Sequence, residues 1–153
     1  MPRPRLTVST RASLVALSAL ALLGLAHWMR PRHLVSAELL VYLLGVLPNL
    51  AAVIAITFVL LAGWIDQHPT ASPGDMRRRC RAFALFATAG LIVWEVGQLF
   101  SRSLRFDYHD IAATLLGLGA SWTLNAWVIR GDRGHTPPDR CAVVTTPATR
   151  RRL

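Results

Sequence analysis

The chain has 153 residues, of which 53% are hydrophobic, and a formal net charge of +9 that comes from 17 arginines without any lysine. This length permits one domain, and four apolar segments of membrane-spanning length leave almost no room for a separate soluble core. The arginines lie in loops and tails between the apolar segments. We therefore exclude a nucleic-acid partner and attribute the charge to helix orientation and to anionic headgroups.

The N-terminal segment 1–12 is basic and is expected in the cytoplasm. The apolar run from Ser13 to Trp28 predicts a first helix that ends at an interfacial tryptophan. In outline this run also matches a signal peptide, but the residues after Gly24–Ala26, beginning with His27, make a poor cleavage site. We expect the helix to be retained.

A longer apolar run extends from Leu39 to Trp64. As a helix it would measure about 39 Å, more than the ~30 Å hydrocarbon core. Pro48 lacks a backbone N–H, and together with Gly45 it predicts a kink near residues 44–48. We expect the part before the kink to lie partly along the membrane surface, and Asn49 to lie deep in the membrane.

Turn residues and arginines between Asp66 and Arg81 predict a polar loop. The runs Ala82–Phe100 and Asp110–Val128 predict the third and fourth helices, and the composition of 129–153 predicts a disordered cytoplasmic tail. The sequence thus predicts an all-α integral membrane bundle of four transmembrane helices within 13–128.

Arginines are distributed unequally between the two sides of the predicted bundle. The N-terminus, the second loop and the tail carry thirteen, whereas the first and third loops carry four. Because cytoplasmic segments are enriched in basic residues, we expect a protein of the bacterial inner membrane with both termini inside. The turn 101–109 would then face outward.

Polar side chains gather where the third helix ends. Glu95, Gln98 and Arg102 are spaced three and four apart, so they share one face if the helix continues. The predicted depth of Glu95 is about 10 Å below the outer surface. A carboxylate at that depth must find a donor, carry a proton or line a wet cavity.

The start of the fourth helix continues this polar region. Asp110 suits an N-cap position and complements the helix dipole. Ala113, Gly117 and Ser121 form a flat face that admits a close neighbour, for which the third helix is the expected partner. We expect Thr114 to join the polar cluster.

Several interpretations of these side chains remain open. They fasten two helices together, bind a ligand, or form a proton or ion pathway. A metal site of Asp107, His109 and Asp110 lacks a supporting second cluster, and Cys80 and Cys141 match no metal-ligand spacing. No nucleophile constellation and no glycine-rich phosphate loop accompanies them. We therefore expect neither a metal nor another cofactor.

The order of these residues resembles the C-terminal signature of VanZ-like membrane proteins. The matching pattern is Glu95-x-x-Gln98, an arginine at 102 or 105, then Phe106-Asp107-x-x-Asp110-Ile111-x-x-Thr114-x-x-Gly117. Threonine stands at 114, where the family often has asparagine. The resemblance implies a small helical bundle with its polar cluster near the outer face. The namesake of the family is linked to low-level resistance to the glycopeptide teicoplanin.

These observations predict a non-enzymatic protein that binds a membrane lipid or a lipid-linked envelope precursor. Arginines would meet the phosphate as charge-assisted donors. One alternative is an enzyme acting on a lipid-linked substrate with Glu95 or Asp110 as general base, and another is a small structural subunit. The candidate ligand-binding residues are Glu95, Gln98, Arg102, Arg105, Asp107, Asp110 and Thr114.

Overall fold

A computed structural model describes residues 7–30, 38–99 and 108–130. In this part of the chain the secondary structure consists of four α-helices: α1 (Val8–Met29), α2 (Glu38–Gln67), α3 (Pro73–Gln98) and α4 (Tyr108–Arg130). Each is long and apolar enough to cross a membrane. The predicted all-α bundle of four membrane-spanning helices is confirmed, as expected of a multi-pass membrane protein.

The helices run antiparallel to their chain neighbours, with α2 at the centre. Ser9 near the start of α1 donates to Asp66 near the end of α2 at 2.5 Å, and α2 packs against α1, α3 and α4. We call the end of the bundle where α1 and α3 finish the polar end, and the opposite end the arginine end. A buried hydrophobic cluster lies toward the arginine end and includes Phe58, Leu61 and Cys80.

The third helix begins nine residues earlier than predicted, at Pro73 instead of Ala82. The hydroxyl of Ser72 accepts from the backbone N–H of Asp75 at 3.1 Å and donates to its carboxylate at 2.7 Å. Ser72 is thus an N-cap, followed by proline at the first helical position. The predicted loop 66–81 was too long, because residues that suit turns also suit the start of a helix. The four arginines between 77 and 81 lie on the helix itself.

The other helix boundaries differ less from the prediction. The first helix begins at Val8, within the segment predicted as a basic terminus, and the fourth continues to Arg130. The predicted tail falls outside the described residues from position 131 onward, so its disorder stays a prediction. Cys141 lies there too, whereas Cys80 is a buried free thiol.

α2 continues as an α-helix through Pro48. The carbonyl of Leu44 would normally accept from the N–H of residue 48, which proline lacks. The guanidinium of Arg30, directly after α1, supplies the missing donor: its Nε donates to the Leu44 carbonyl at 3.1 Å. The bend itself stays a prediction. The hydrogen bond that Pro48 removes from α2 is replaced by one from the side chain of Arg30, just beyond the end of α1.

Gly117, at the centre of the small-residue face of α4, packs against α2, whereas α3 was the predicted neighbour. Ala113, Gly117 and Ser121 are buried. A Cβ atom added at Gly117 would lie 2.9 Å from the backbone oxygen of Leu50 and 3.0 Å from the Cβ of Val53, both on α2. The close approach of a neighbouring helix to this face of α4 was correctly predicted, but its identity was not. Helices that follow one another in the chain are not always the closest neighbours in a bundle.

Candidate functional site

The carboxylate of Glu95 is the centre of the polar end. Its side chain is 4% exposed although it lies in a helix long and apolar enough to cross a membrane. The amide of Gln98, one turn later, donates to Oε2 at 2.9 Å. The amide of Asn49 on α2 donates to Oε1 at 3.3 Å. Both carboxylate oxygens therefore have amide donors, which fixes the orientation of the group.

Asn49 is the residue that sequence reasoning did not assign to the site. Its depth was expected, but its partner was not, because Glu95 is 46 positions away in the chain. The available signal was a polar side chain directly after the proline of an apolar helix. Buried polar groups at membrane depth pair with one another, so Asn49 and Glu95 were candidates for each other.

The start of α4 also lies at the polar end, but the helix begins at a different residue than predicted. The helix begins at Tyr108, so Asp110 is in its first turn and is not the N-cap; its charge still complements the helix dipole. Thr114 is fully buried, and its hydroxyl donates to the backbone oxygen of Asp110 at 2.8 Å. This hydroxyl is thus satisfied within α4.

Aromatic side chains border the polar end. The ring of His109 meets that of Tyr42 edge-on, with centroids 5.3 Å apart, which links the starts of α4 and α2. The ring of Tyr108 is tilted against that of His109, with centroids 3.9 Å apart. Tyr108 and Trp94 are largely exposed. Exposed aromatic rings of this kind are typical of membrane–water interfaces.

A groove of about 320 Å³ lies on the surface of α3 and reaches Gln98. Gly90 and Gly97 form its floor, and a side chain added at either glycine would meet open space. Val93 and Trp94 form apolar walls, and Gln98 contributes the polar edge. Because Gln98 also donates to Glu95, one side chain connects the apolar groove with the buried carboxylate.

Three predicted site residues, Arg102, Arg105 and Asp107, lie outside the described residues. Their convergence with Glu95, and the pocket predicted between α3 and α4, stay predictions. The described contacts bring Glu95 and Gln98 together with Asn49, at the contact of α2 with α3. Within 7–30, 38–99 and 108–130, no group of three or more His, Cys, Asp or Glu side chains has an arrangement that could hold a metal ion.

Comparisons with known proteins find no similar sequence or structure. No protein-family pattern matches the chain, and no curated protein and no solved structure matches it.

Proposed function

We propose that this chain is a non-enzymatic membrane protein that binds the polar headgroup of a lipid, or of a lipid-linked cell-envelope precursor, at the polar end. The observation that carries the proposal is the carboxylate of Glu95, buried within a membrane-spanning helix and oriented by amides of two helices. A polar group at such depth is costly to maintain and is a functional-site hypothesis by default.

The chemistry of the cluster restricts the class of headgroup. A carboxylate accepts hydrogen bonds, so its complement is an ammonium, hydroxyl or amide N–H group. Arg102 and Arg105, which follow Glu95 in the sequence, are expected to meet a phosphate as charge-assisted donors. A headgroup with both a phosphate and a hydrogen-bond donor would use both features.

The groove beside Gln98 supports an amphiphilic ligand over a small polar one. Its floor of two glycines and its walls at Val93 and Trp94 suit an acyl or isoprenoid chain. The groove meets the polar cluster at Gln98. An apolar chain in the groove would bring its attached headgroup to Gln98, whose amide donates to Glu95.

The biological context comes from the proposed VanZ-like membership. On that proposal the protein acts in the bacterial inner membrane, with the polar end outward, and contributes to tolerance of teicoplanin. The enzymatic alternative, with Glu95 or Asp110 as general base, ranks lower because no nucleophile or metal constellation accompanies these carboxylates in the sequence.

A structural role is the second candidate, and one observation favours it. The described hydrogen bonds to Glu95 come from the protein's own amides, one of them across the α2–α3 contact. Polar contacts between membrane helices contribute about 0.6 kcal/mol on average and at most about 1.7 kcal/mol. Loss of such a fastener would lower abundance and function together, whereas loss of a binding site would lower function alone.

Three variants distinguish binding from fastening. Glu95→Gln keeps the size of the side chain but removes its charge, and Gly97→Leu fills the groove without touching Glu95. Thr88→Val is the control, because it changes another buried polar residue of α3. Membrane abundance and teicoplanin susceptibility are measured together in a bacterium that expresses the chain.

Headgroup binding predicts that Glu95→Gln and Gly97→Leu abolish the tolerance given by the parent chain while abundance stays unchanged, and that Thr88→Val retains both. A parallel loss of abundance and tolerance in Glu95→Gln, with Gly97→Leu unaffected, would instead assign a structural role. Full tolerance in both test variants would reject the site.

A further inference from the structure

We propose that a second groove, at the arginine end between α3 and α4, binds the phosphate of an anionic phospholipid. The groove has a volume of about 570 Å³, within the range of ligand-binding clefts. It lies far from the site proposed above, since Arg81 and Glu95 are fourteen residues, or about 21 Å, apart along α3. Its lining residues are Arg77, Arg81, Trp122, Asn125, Ala126 and Arg130.

Three guanidinium groups converge on this groove from two helices. Arg77 and Arg81 lie one turn apart near the start of α3, and Arg130 is the last residue of α4. The antiparallel arrangement brings these helix ends together. Guanidinium groups are suited to phosphate because they donate several hydrogen bonds in one plane.

Neither of the two carboxylates described near this end lines the groove. Asp66 accepts from Ser9, and Asp75 accepts from Ser72 at the N-cap of α3. The positive partial charge at the start of α3 and the negative one at the end of α4 offset each other, so the three arginines set the sign of the charge. The groove is therefore an electropositive site that complements an anion.

Asn125 provides an independent indication of a ligand. The residue lines the groove, is 5% exposed, and its side-chain oxygen has no hydrogen-bond partner in the described part of the protein. A buried polar atom without a partner is costly. A headgroup that carries a hydroxyl as well as a phosphate would satisfy the amide, as the glycerol of phosphatidylglycerol does.

The surroundings favour a lipid over a free phosphate ion. Trp122 forms part of the wall and is half exposed, and Leu85, one turn beyond Arg81 on α3, is also exposed. Exposed apolar side chains on membrane-spanning helices face acyl chains. A phospholipid would therefore contact the helices with its chains while its phosphate meets the arginines.

The test is native mass spectrometry of the purified full chain in detergent, titrated with phosphatidylglycerol or phosphatidylcholine. The double variant Arg77→Gln/Arg81→Gln removes two groove arginines. The matched control Arg11→Gln/Arg78→Gln removes two arginines that do not line the groove. The two double variants lose the same charge. None of the replaced side chains is fully buried, so we expect both variants to fold, and size-exclusion profiles check this.

We expect the parent chain and the control variant Arg11→Gln/Arg78→Gln each to retain one phosphatidylglycerol. In Arg77→Gln/Arg81→Gln the affinity for phosphatidylglycerol should fall about tenfold or more. Phosphatidylcholine should bind more weakly than phosphatidylglycerol. Asn125→Leu should also weaken phosphatidylglycerol binding without any change in charge.

Equal weakening in the two doubles would overturn the proposal, because it would show attraction by net charge alone. Displacement of phosphatidylglycerol by an equal concentration of inorganic phosphate would also overturn it, since a free anion would then be the ligand. Neither result depends on Glu95, so the headgroup proposal for the polar end is tested separately.

Discussion

Arg30 donates from its Nε atom to the backbone oxygen of Leu44 at 3.1 Å, and from a terminal nitrogen to that of Gly45 at 2.6 Å. The first of these carbonyls is the one that Pro48 deprives of its helical donor. A side chain just beyond α1 thus completes the hydrogen bonding of α2. The pair connects a proline in one helix to an arginine outside it.

This relationship predicts a coupling between Arg30 and Pro48. Arg30→Met keeps the apolar stem but loses the donor, and we expect it to lower the free energy of unfolding by about 1 kcal/mol. Pro48→Ala restores a backbone N–H for Leu44, so the same arginine change should cost clearly less in that background. Denaturant unfolding in detergent of both single variants and the double variant measures the coupling. An equal cost in both backgrounds would contradict the assignment.

Gly117 is expected to be the least replaceable glycine of α4. A Cβ atom there would lie 2.9 Å from the Leu50 carbonyl oxygen, which is backbone and cannot turn away. We expect Gly117→Ala to lower the free energy of unfolding by about 1–3 kcal/mol. Gly119→Ala is the matched control, because a Cβ atom at that position meets open space. It should be neutral or stabilising by up to about 1 kcal/mol.

Thermal unfolding of these two variants in the same detergent tests the packing of α4 on α2. If Gly119→Ala destabilises as much as Gly117→Ala, the close approach lies on a different face of α4.

Substitutions of Asn49 and Glu95 are expected to have non-additive effects on the free energy of unfolding. Asn49→Leu removes the 3.3 Å hydrogen bond across the α2–α3 contact. We expect a cost of about 0.6–1.7 kcal/mol in the parent chain, and a different cost once Glu95 is replaced by alanine. A double-mutant cycle from denaturant unfolding gives the interaction energy. A value indistinguishable from zero would show that this bond does not hold the two helices together.

The orientation in the membrane is predicted from the arginines. In the described residues Arg11, Arg130 and the four arginines at the start of α3 lie toward the arginine end, and Arg30 lies at the polar end. Basic residues favour the cytoplasmic side. Ala71→Cys, between α2 and α3, is introduced into a chain in which Cys80 and Cys141 are replaced. Its thiol should react only with a reagent that enters the cytoplasm. Labelling by a membrane-impermeant reagent in intact cells would show that the topology is the reverse of the predicted one.

The amino-acid sequence by itself determined the class of fold and the approximate position of each helix. Runs of apolar residues long enough to cross a bilayer form helices because every backbone polar group must be satisfied within the segment. That constraint is local, so it can be read from composition. The bond between Glu95 and Gln98 was also local, because residues three apart on a helix are neighbours.

Only the tertiary structure decided which helices meet. Gly117 contacts α2 instead of α3, Asn49 reaches Glu95, and Arg30 completes the hydrogen bonding around Pro48. Each pairing depends on how four similar apolar surfaces pack, and helix periodicity specifies a face but not its partner. The start of α3 was also missed, because serine, proline and aspartate favour a turn and a helix N-terminus alike; continuation of the helix through the arginines resolved that ambiguity.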